Sequence, residues 1–345
     1  METEQARAIA APRGRSRVLV LAALGCVLAV AMFIGTSLGP LGFQPGLVWQ
    51  ALREPQDPAN ALVVAVRLPR TLVAVMVGAS LAVAGAAMQA VFRNPLAEPG
   101  ITGVSSGAAV VAVVMIVFGG CAHSFLLPFG AFAGALIAVL IVQFIGGRGG
   151  THTILLVGIA LNALLGAIIA AVIANAVNAE DARSAMFWLN GDLSGRTLAD
   201  AALVAVPLAA GLLAVMFYAR ELNLLAAGEA IAHTSGMQVA RTKQIVLFAA
   251  ALTTAAGVAI TGIISFVGLV VPHVVRLIWG SDHRLLLPAS ALVGATGLLV
   301  ADLGARLVWQ PVALQTGTVT ALVGAPFLLF LVMRHTTHQQ SPEAG

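Results

Sequence analysis

The 345-residue sequence holds fourteen carboxylates, seven histidines, two cysteines and eighteen basic residues, of which one is a lysine. Nucleotide hydrolysis requires a G-x-x-x-x-G-K-[ST] loop, whose glycine amides and lysine ammonium cradle the phosphates. Lys243 stands in "VARTKQIV", followed by glutamine and without the glycines, so the chain carries no such loop. Metal-assisted hydrolysis requires histidines and carboxylates at ligand spacing. His123, His152, His233, His273, His283, His335 and His338 form neither H-E-x-x-H nor a close cluster with an acid. Ser105 and Ser106 in "VSSGAA" lack the G-x-S-x-G turn of a serine nucleophile. Cys26 and Cys121 belong to apolar blocks and read as small packing residues. The residues therefore call for no cofactor, no resident metal and no covalent step, and any ATP hydrolysis must occur on a partner.

Most of these groups fall outside the apolar blocks that dominate the chain. The composition is 59% hydrophobic and 9% charged, with a mean hydropathy of +0.98; soluble domains carry roughly 25% charged residues. The apolar residues come in blocks of the length that crosses about 30 Å of hydrocarbon. Ten such spans are predicted near 18–38, 68–91, 101–118, 125–146, 153–174, 200–219, 244–262, 263–281, 286–308 and 318–334. Blocks this long and unalternating are helices, because lipid forces each segment to satisfy its own backbone. The expected fold is all-α and polytopic. The first block is too long for a signal-peptide core and is read as a retained span.

Ten spans place both termini on one side. With a cytoplasmic N-terminus, twelve of the eighteen basic residues fall inside and six outside, so both termini are expected in the cytoplasm. The basic balance is accounted for by this anchoring, and nucleic acid is not an expected partner. The expected division is a cytoplasmic tail over 1–17, a ten-helix domain over 18–334 and a cytoplasmic tail over 335–345.

Of the fourteen acids, Asp302 alone lies well inside a span. Ion-coupled carriers keep ionisable groups at depth, so an ion-coupled secondary transporter without an ATPase partner is the weaker alternative. Ala74, Gly78 and Ala82 recur every four residues in the second span, a pattern that lets backbones approach closely. Between the sixth and seventh spans, "YARELNLLAAGEAIAHTSGMQVARTKQ" is too polar to cross, yet shows helical spacing at Leu222, Leu225 and Ile231. A break is expected at "HTSGM", with Thr234 or Ser235 capping a second short helix. Such a helix–turn–helix reads either as a solvated connector or as a docking element for a motor subunit.

Four stretches carry a resemblance to a known family. They are "RLPRTLVAVMVGASLAVAGAAMQAVFRNPLAEPGITGVSSGAA", "GEAIAHTSGMQ", "SFVGLVVPHVVRLIWGSDHRLLLPASALVGATGLLVADLGAR" and "TALVGAPFLLFL". In this order and spacing they resemble the permease subunits of bacterial ABC importers for iron–siderophore, haem and cobalamin, over roughly Gly46 to Arg334. The resemblance implies type II ABC importer architecture in the bacterial inner membrane. The assembly it implies is a homodimer, two ATP-binding subunits and a periplasmic substrate-binding protein, moving a metal chelate by alternating access.

Site residues follow from the same resemblance. "GEAIAHTSGM" looks like the coupling helices (about 221–240) that fit the ATPase, which implies roles for Gly228, Glu229, Ala232, His233 and Gly236. "RNPLAEPG" looks like part of the cytoplasmic gate, through Asn94 and Leu96, with Pro95 and Pro99 ending the second span. The opposing turn corresponds to Thr151 and His152, where many relatives carry small hydroxyls and His152 departs. Arg67, Arg70 and Arg306 correspond to arginines that pair with glutamates of the binding protein; by spacing alone, Arg306 could instead neutralise Asp302 at i, i+4. Relatives carry a pattern like E-x-P-x-G before the last span, whereas this chain has "ALQTG", so the outer loop there is expected to differ in shape.

Overall fold

The computed structural model describes residues 14–39, 42–119, 126–147, 149–308 and 313–339. The chain before residue 14 and after residue 339, together with Cys121, His123 and Arg148, lies outside the described residues. Fourteen α-helices run along the described chain: α1 (Gly14–Ser37), α2 (Pro45–Arg53), α3 (Leu68–Phe92), α4 (Val104–Gly119), α5 (Leu126–Gly146), α6 (Gly150–Ala174), α7 (Ala179–Leu189), α8 (Leu198–Phe217), α9 (Ala219–Ala227), α10 (Glu229–Thr234), α11 (Val239–Thr261), α12 (Val267–Trp279), α13 (His283–Leu307) and α14 (Thr316–Gln339). Seven of these stretches are long and apolar enough to cross a membrane: α1, α3 with its lead-in from Pro58, α5, α6, α8, α11 and α13. The apolar helices α4, α12 and the first part of α14 are shorter. Together they occupy the ten stretches expected from hydropathy.

The expected second span is longer than its apolar block. A single π-helical stretch at Leu62–Arg67 leads straight into α3, so one helical column runs from Pro58 to Phe92. The amphipathic helices α2 and α7, too polar or too short for a hydropathy search, stand between spans. Leu38–Gly39 and Gly42–Phe43 pair antiparallel as a two-residue hairpin after α1.

Burial ranks the helices. In the most apolar stretch of α3 and of α11, 78% of residues are buried within the chain, against 6% for α6 and 11% for α1. Helix α3 is the hub, packed against α13, α11, α12 and α8. Its small-residue stripe is what permits this. A Cβ on Gly78 would stand 2.3 Å from the carbonyl oxygen of Gly294 in α13, and one on Gly85 only 1.7 Å from that of Gly268 in α12. Ala74 and Ala82 on the same stripe are fully buried. The close approach foreseen from the spacing is thus used within one chain, where backbone-to-backbone packing replaces the missing hydrophobic drive between helices in lipid.

Substituting Gly85→Ala is expected to force α3 and α12 apart and to cost about 3 kcal/mol, at the upper end of overpacking effects. Thermal unfolding of the detergent-solubilised protein checks this. Gly25→Ala, where an added Cβ meets nothing within 4 Å, serves as the control and should melt like the parent.

Candidate functional site

One end of the bundle carries the polar hairpin of α9 and α10. Leu222 and Leu225 are fully buried under α9 and Ala232 under α10, whereas Ile231 is 52% exposed and His233 is exposed. The break expected at "HTSGM" is present, as a turn over 235–238 between α10 and α11, and a further break divides α9 from α10. It falls at Gly228, whose φ of +133° and ψ of 146° suit glycine. Thr234 and Ser235 do not cap a helix; their hydroxyls donate back to the Ala230 and Ile231 carbonyls, and Gly236 at φ +82° turns the chain toward α11. Hydroxyls in a last turn readily take this back-bonding geometry.

Two polar ties hold the hairpin to the bundle. Asn223 of α9 donates to Asp282 at 2.8 Å and accepts from the backbone N–H of His283 at 2.8 Å. The His283 ring nitrogen Nδ1 lies 2.8 Å from the same amide oxygen, so Nδ1 carries the proton. Asp282 caps α13 through the Arg284 N–H and pairs with Arg17 of α1 at 2.8 Å. Burial alone would push the Asp282 carboxyl up; the hydrogen bonds from Asn223 and Arg284 and the Arg17 charge together hold it below its ordinary value. On the α10 side, Lys243 pairs with Glu229 and donates to Thr151 Oγ1 at 2.6 Å.

These residues border a cavity of about 1230 Å³. Thr151, His152, Glu229, His233 and Gly236, each singled out from the sequence, line it together with Lys243. Gly228 and Ala232 support the wall from behind, the latter fully buried. Asn94 and Leu96 are exposed beside it, while their neighbours Phe92 and Arg93 form part of the lining. Lys243 entered the sequence reading only as a failed phosphate ligand; its partners lie 14 and 92 residues away, and no local pattern announces them.

"RNPLAEPG" now has a physical account. Helix α3 ends at Arg93, left-handed at φ +50°, and Asn94 Oδ1 accepts the Leu96 N–H at 2.9 Å. Pro99 opens a 3₁₀ turn over Pro99–Thr102, and the Glu98 carboxylate accepts from the backbone N–H of Phe266. Asn162 of α6 fastens the turn by donating to the Gly100 carbonyl at 3.1 Å and accepting from Ser106 at 2.7 Å. The segment's polar side chains thus bond its own backbone or reach neighbouring elements, offsetting groups freed by the two prolines.

The opposite end is built around Asp302, which is 0% exposed. Its carboxylate accepts three close contacts from Arg70, at 2.9, 3.0 and 2.7 Å, and one from Thr316 at 3.0 Å, and lies 3.2 Å from Arg306 Nε. Arg70 also donates to Ser194 at 2.9 Å. Arg67 is 3% exposed and donates to the carbonyls of Thr36 and Ser37 and to Gln44, while Arg306 reaches the Gly35 carbonyl. The last carbonyls of a helix need such donors. Within the chain itself these three arginines, expected as rim charges for a soluble partner, point inward: Arg70 and Arg306 toward Asp302, and Arg67 toward the end of α1. The pairing of Arg306 with Asp302 at i, i+4 is the geometry observed.

Comparison with known proteins agrees with this architecture. The family model described as the FecCD transport family matches residues 27–334. The chain belongs to the FecCD transport family. It is 46% identical over 280 residues to the cobalamin import system permease protein BtuC of Halobacterium salinarum, covering 80% of this chain and 74% of that protein. It is 36% identical to the hemin transport system permease protein HmuU of Yersinia pestis, covering 93% and 97%. It is 35% identical to the iron(3+)-hydroxamate import system permease protein FhuB of Bacillus subtilis, covering 92% and 83%. A solved structure described as an inward-facing conformation of a metal-chelate type ABC transporter superposes with a TM-score of 0.80 at 31% identity, over 91% of this chain and 99% of that one. This FecCD chain is therefore a multi-pass membrane permease with the ABC importer fold, a transport subunit by family.

Two outcomes follow from these networks. Asp302→Asn preserves shape but leaves Arg306 buried beside a neutral amide and Arg70 with only Asp192, 3.9 Å away, a change expected to cost about 3–5 kcal/mol and to be read as lower membrane accumulation and a lower melting temperature. Asp282→Ala is expected to cost about 1 kcal/mol at pH 7, chiefly as a lost helix cap. Because the native carboxyl is held low, its contribution is present above the unfolded value near 4 and lost as pH falls through the lower native value. The gap between parent and variant in a pH-resolved melt should therefore narrow below about pH 4.

Proposed function

We propose that this chain is the membrane subunit of an ATP-driven importer that carries a metal chelate, of the iron–siderophore, haem or cobalamin type, across the bacterial inner membrane. Two copies flank the path, two ATP-binding subunits seat on the α9–α10 faces, and a periplasmic substrate-binding protein delivers the chelate at the Asp302 end. Both termini and the α10 end then lie in the cytoplasm. The observation that carries the reading is the α9–α10 hairpin. Its buried side is fixed by Leu222, Leu225 and Ala232, while Ile231 and His233 are exposed among the described residues.

In this reading ATP binding and hydrolysis on the partner displace α10, and the displacement opens or closes the turns bearing Asn94, Leu96, Thr151 and His152 while the bundle alternates access between the two sides. The Gly228 and Gly236 turns let α10 shift with little steric resistance. At the other end, carboxylates of a docking protein would compete with Asp302 for Arg70 and Arg306, so docking there acts on the joint between α3, α13 and α14 rather than on free surface charges. Asp302 is engaged by two guanidinium groups in a structural cluster at one end of the bundle, which supports the ATP-driven reading over an ion-coupled one.

The test is reconstitution in proteoliposomes with the ATPase subunit and binding protein, offering cobalamin, haem and a ferric hydroxamate in turn. Uptake of one of them that requires ATP, with none by the chain alone, is expected. Uptake driven by an ion gradient without the ATPase would overturn the proposal. Ile231→Glu, at the exposed face of α10, is expected to reduce co-purification of the ATPase subunit about tenfold, as removal of a central apolar anchor does, while the permease itself remains folded.

A further inference from the structure

We propose that Lys243 is a positioning residue that makes α10 and the turn at Thr151 move as one unit. Lys243 lies in the second turn of α11, the helix that shares the centre of the bundle with α3, and its side chain is only 10% exposed. Its ammonium meets groups from two other elements: the Glu229 carboxylate at the start of α10, 14 residues away, and the Thr151 hydroxyl at the start of α6, 92 residues away. The inference rests on reading α10 as the face toward the ATPase and the Thr151–His152 turn as a gate element.

The exposures of the partners are unequal, and the inequality gives the tie its force. The Glu229 side chain is 52% exposed and can be solvated by itself, but the ammonium cannot. If α10 withdrew alone, a buried cation would lose its only counter-ion among the described residues, which costs far more than the pair contributes when made. The lower-energy motion keeps Lys243, Glu229 and Thr151 together. Each attached segment is otherwise loosely held. Helix α10 has six residues, of which Ala232 alone is buried, and among the described residues Glu229 supplies its side-chain tie to the bundle. The turn before Thr151 runs through Gly149 and Gly150, the latter at φ +82°, and among the described residues it is tied by Thr153, whose hydroxyl donates to the Gly149 carbonyl from α6 itself. A stiff link between two pliant segments transmits displacement from one to the other.

The test uses the permease reconstituted with its ATPase subunit and binding protein, comparing the parent with Lys243→Arg, Lys243→Met and Thr151→Val. Uptake per ATP hydrolysed is measured for whichever of cobalamin, haem or ferric hydroxamate the parent carries. Lys243→Met is expected to lower this ratio about tenfold, within the usual range of coupling between sites, while the ATPase still co-purifies. Lys243→Arg should restore most of it. Thr151→Val removes only the link to the turn, leaves the ion pair intact and should also uncouple; unchanged coupling in that variant overturns the proposal even if Lys243→Met fails to assemble. A parallel measurement needs no substrate or ATPase: nitroxide labels at positions 231 and 152 in nanodiscs should give one narrow distance distribution in the parent and a broad one in Lys243→Met. Equal widths overturn the tie. A parent that neither binds an ATPase nor shows ATP-dependent uptake, yet retains the narrow distribution, would instead overturn the functional reading and leave the tie standing.

Discussion

A carboxylate with no solvent contact holds one end of this molecule together. Asp302 joins α13 to α3 through Arg70, to the start of α14 through Thr316, and, with Arg306, closes over the end of α1. In hydrocarbon an isolated charge is costly, so none of these groups can leave without stranding another. The cost of separation, more than the attraction itself, makes the cluster a fixed joint. Arg67 completes it: Gly39 has no side chain, and a Cβ there would collide with the guanidinium at 2.8 Å, so the Leu38–Phe43 hairpin can fold against Arg67 while Arg67 caps the last carbonyls of α1.

The middle of the bundle obeys a different rule. Between the polar ends, α3 meets α12 and α13 at glycines, with backbones close enough that a single methyl group would not fit. Such packing has no adjustable side chains and transmits a shift without absorbing it. The α10 end is built the opposite way, from short helices, glycine turns and a cavity of about 1230 Å³, stitched by Asn223–Asp282 on one side and Lys243–Glu229 on the other. A rigid joint, a stiff middle and a pliant end are the parts of a lever, which suits the proposed role of a subunit driven by a partner.

Much of this was legible before any coordinates. The spans could be read because lipid imposes one requirement, about twenty apolar residues in a helix, that repeats whatever the tertiary context. Helix termination at "RNPLAEPG" was equally readable, since proline removes a donor and bars the preceding turn. The break at "HTSGM" was readable from its turn-forming residues, but the second one at Gly228 was not, because it depends on Leu222, Leu225 and Ala232 finding the bundle surface. Helices α2 and α7 and the π-helical lead-in at 62–67 escaped notice because each lacks the length or the apolar run that hydropathy detects.

What the sequence determined by itself was the class of environment and the division of labour: a lipid-embedded helical bundle with no nucleotide-binding loop, a polar hairpin between its sixth and seventh spans and a single acid deep within a span. These are properties of local composition and spacing. The tertiary structure alone decided which charges face outward and which are consumed inside. The three arginines that look like free docking groups are turned toward Asp302 and the end of α1, and the one lysine finds partners on two distant elements. Their neighbours come from residues as much as 271 positions apart, and electrostatic pairing over such separations is set by how helices cross, which no window along the chain records.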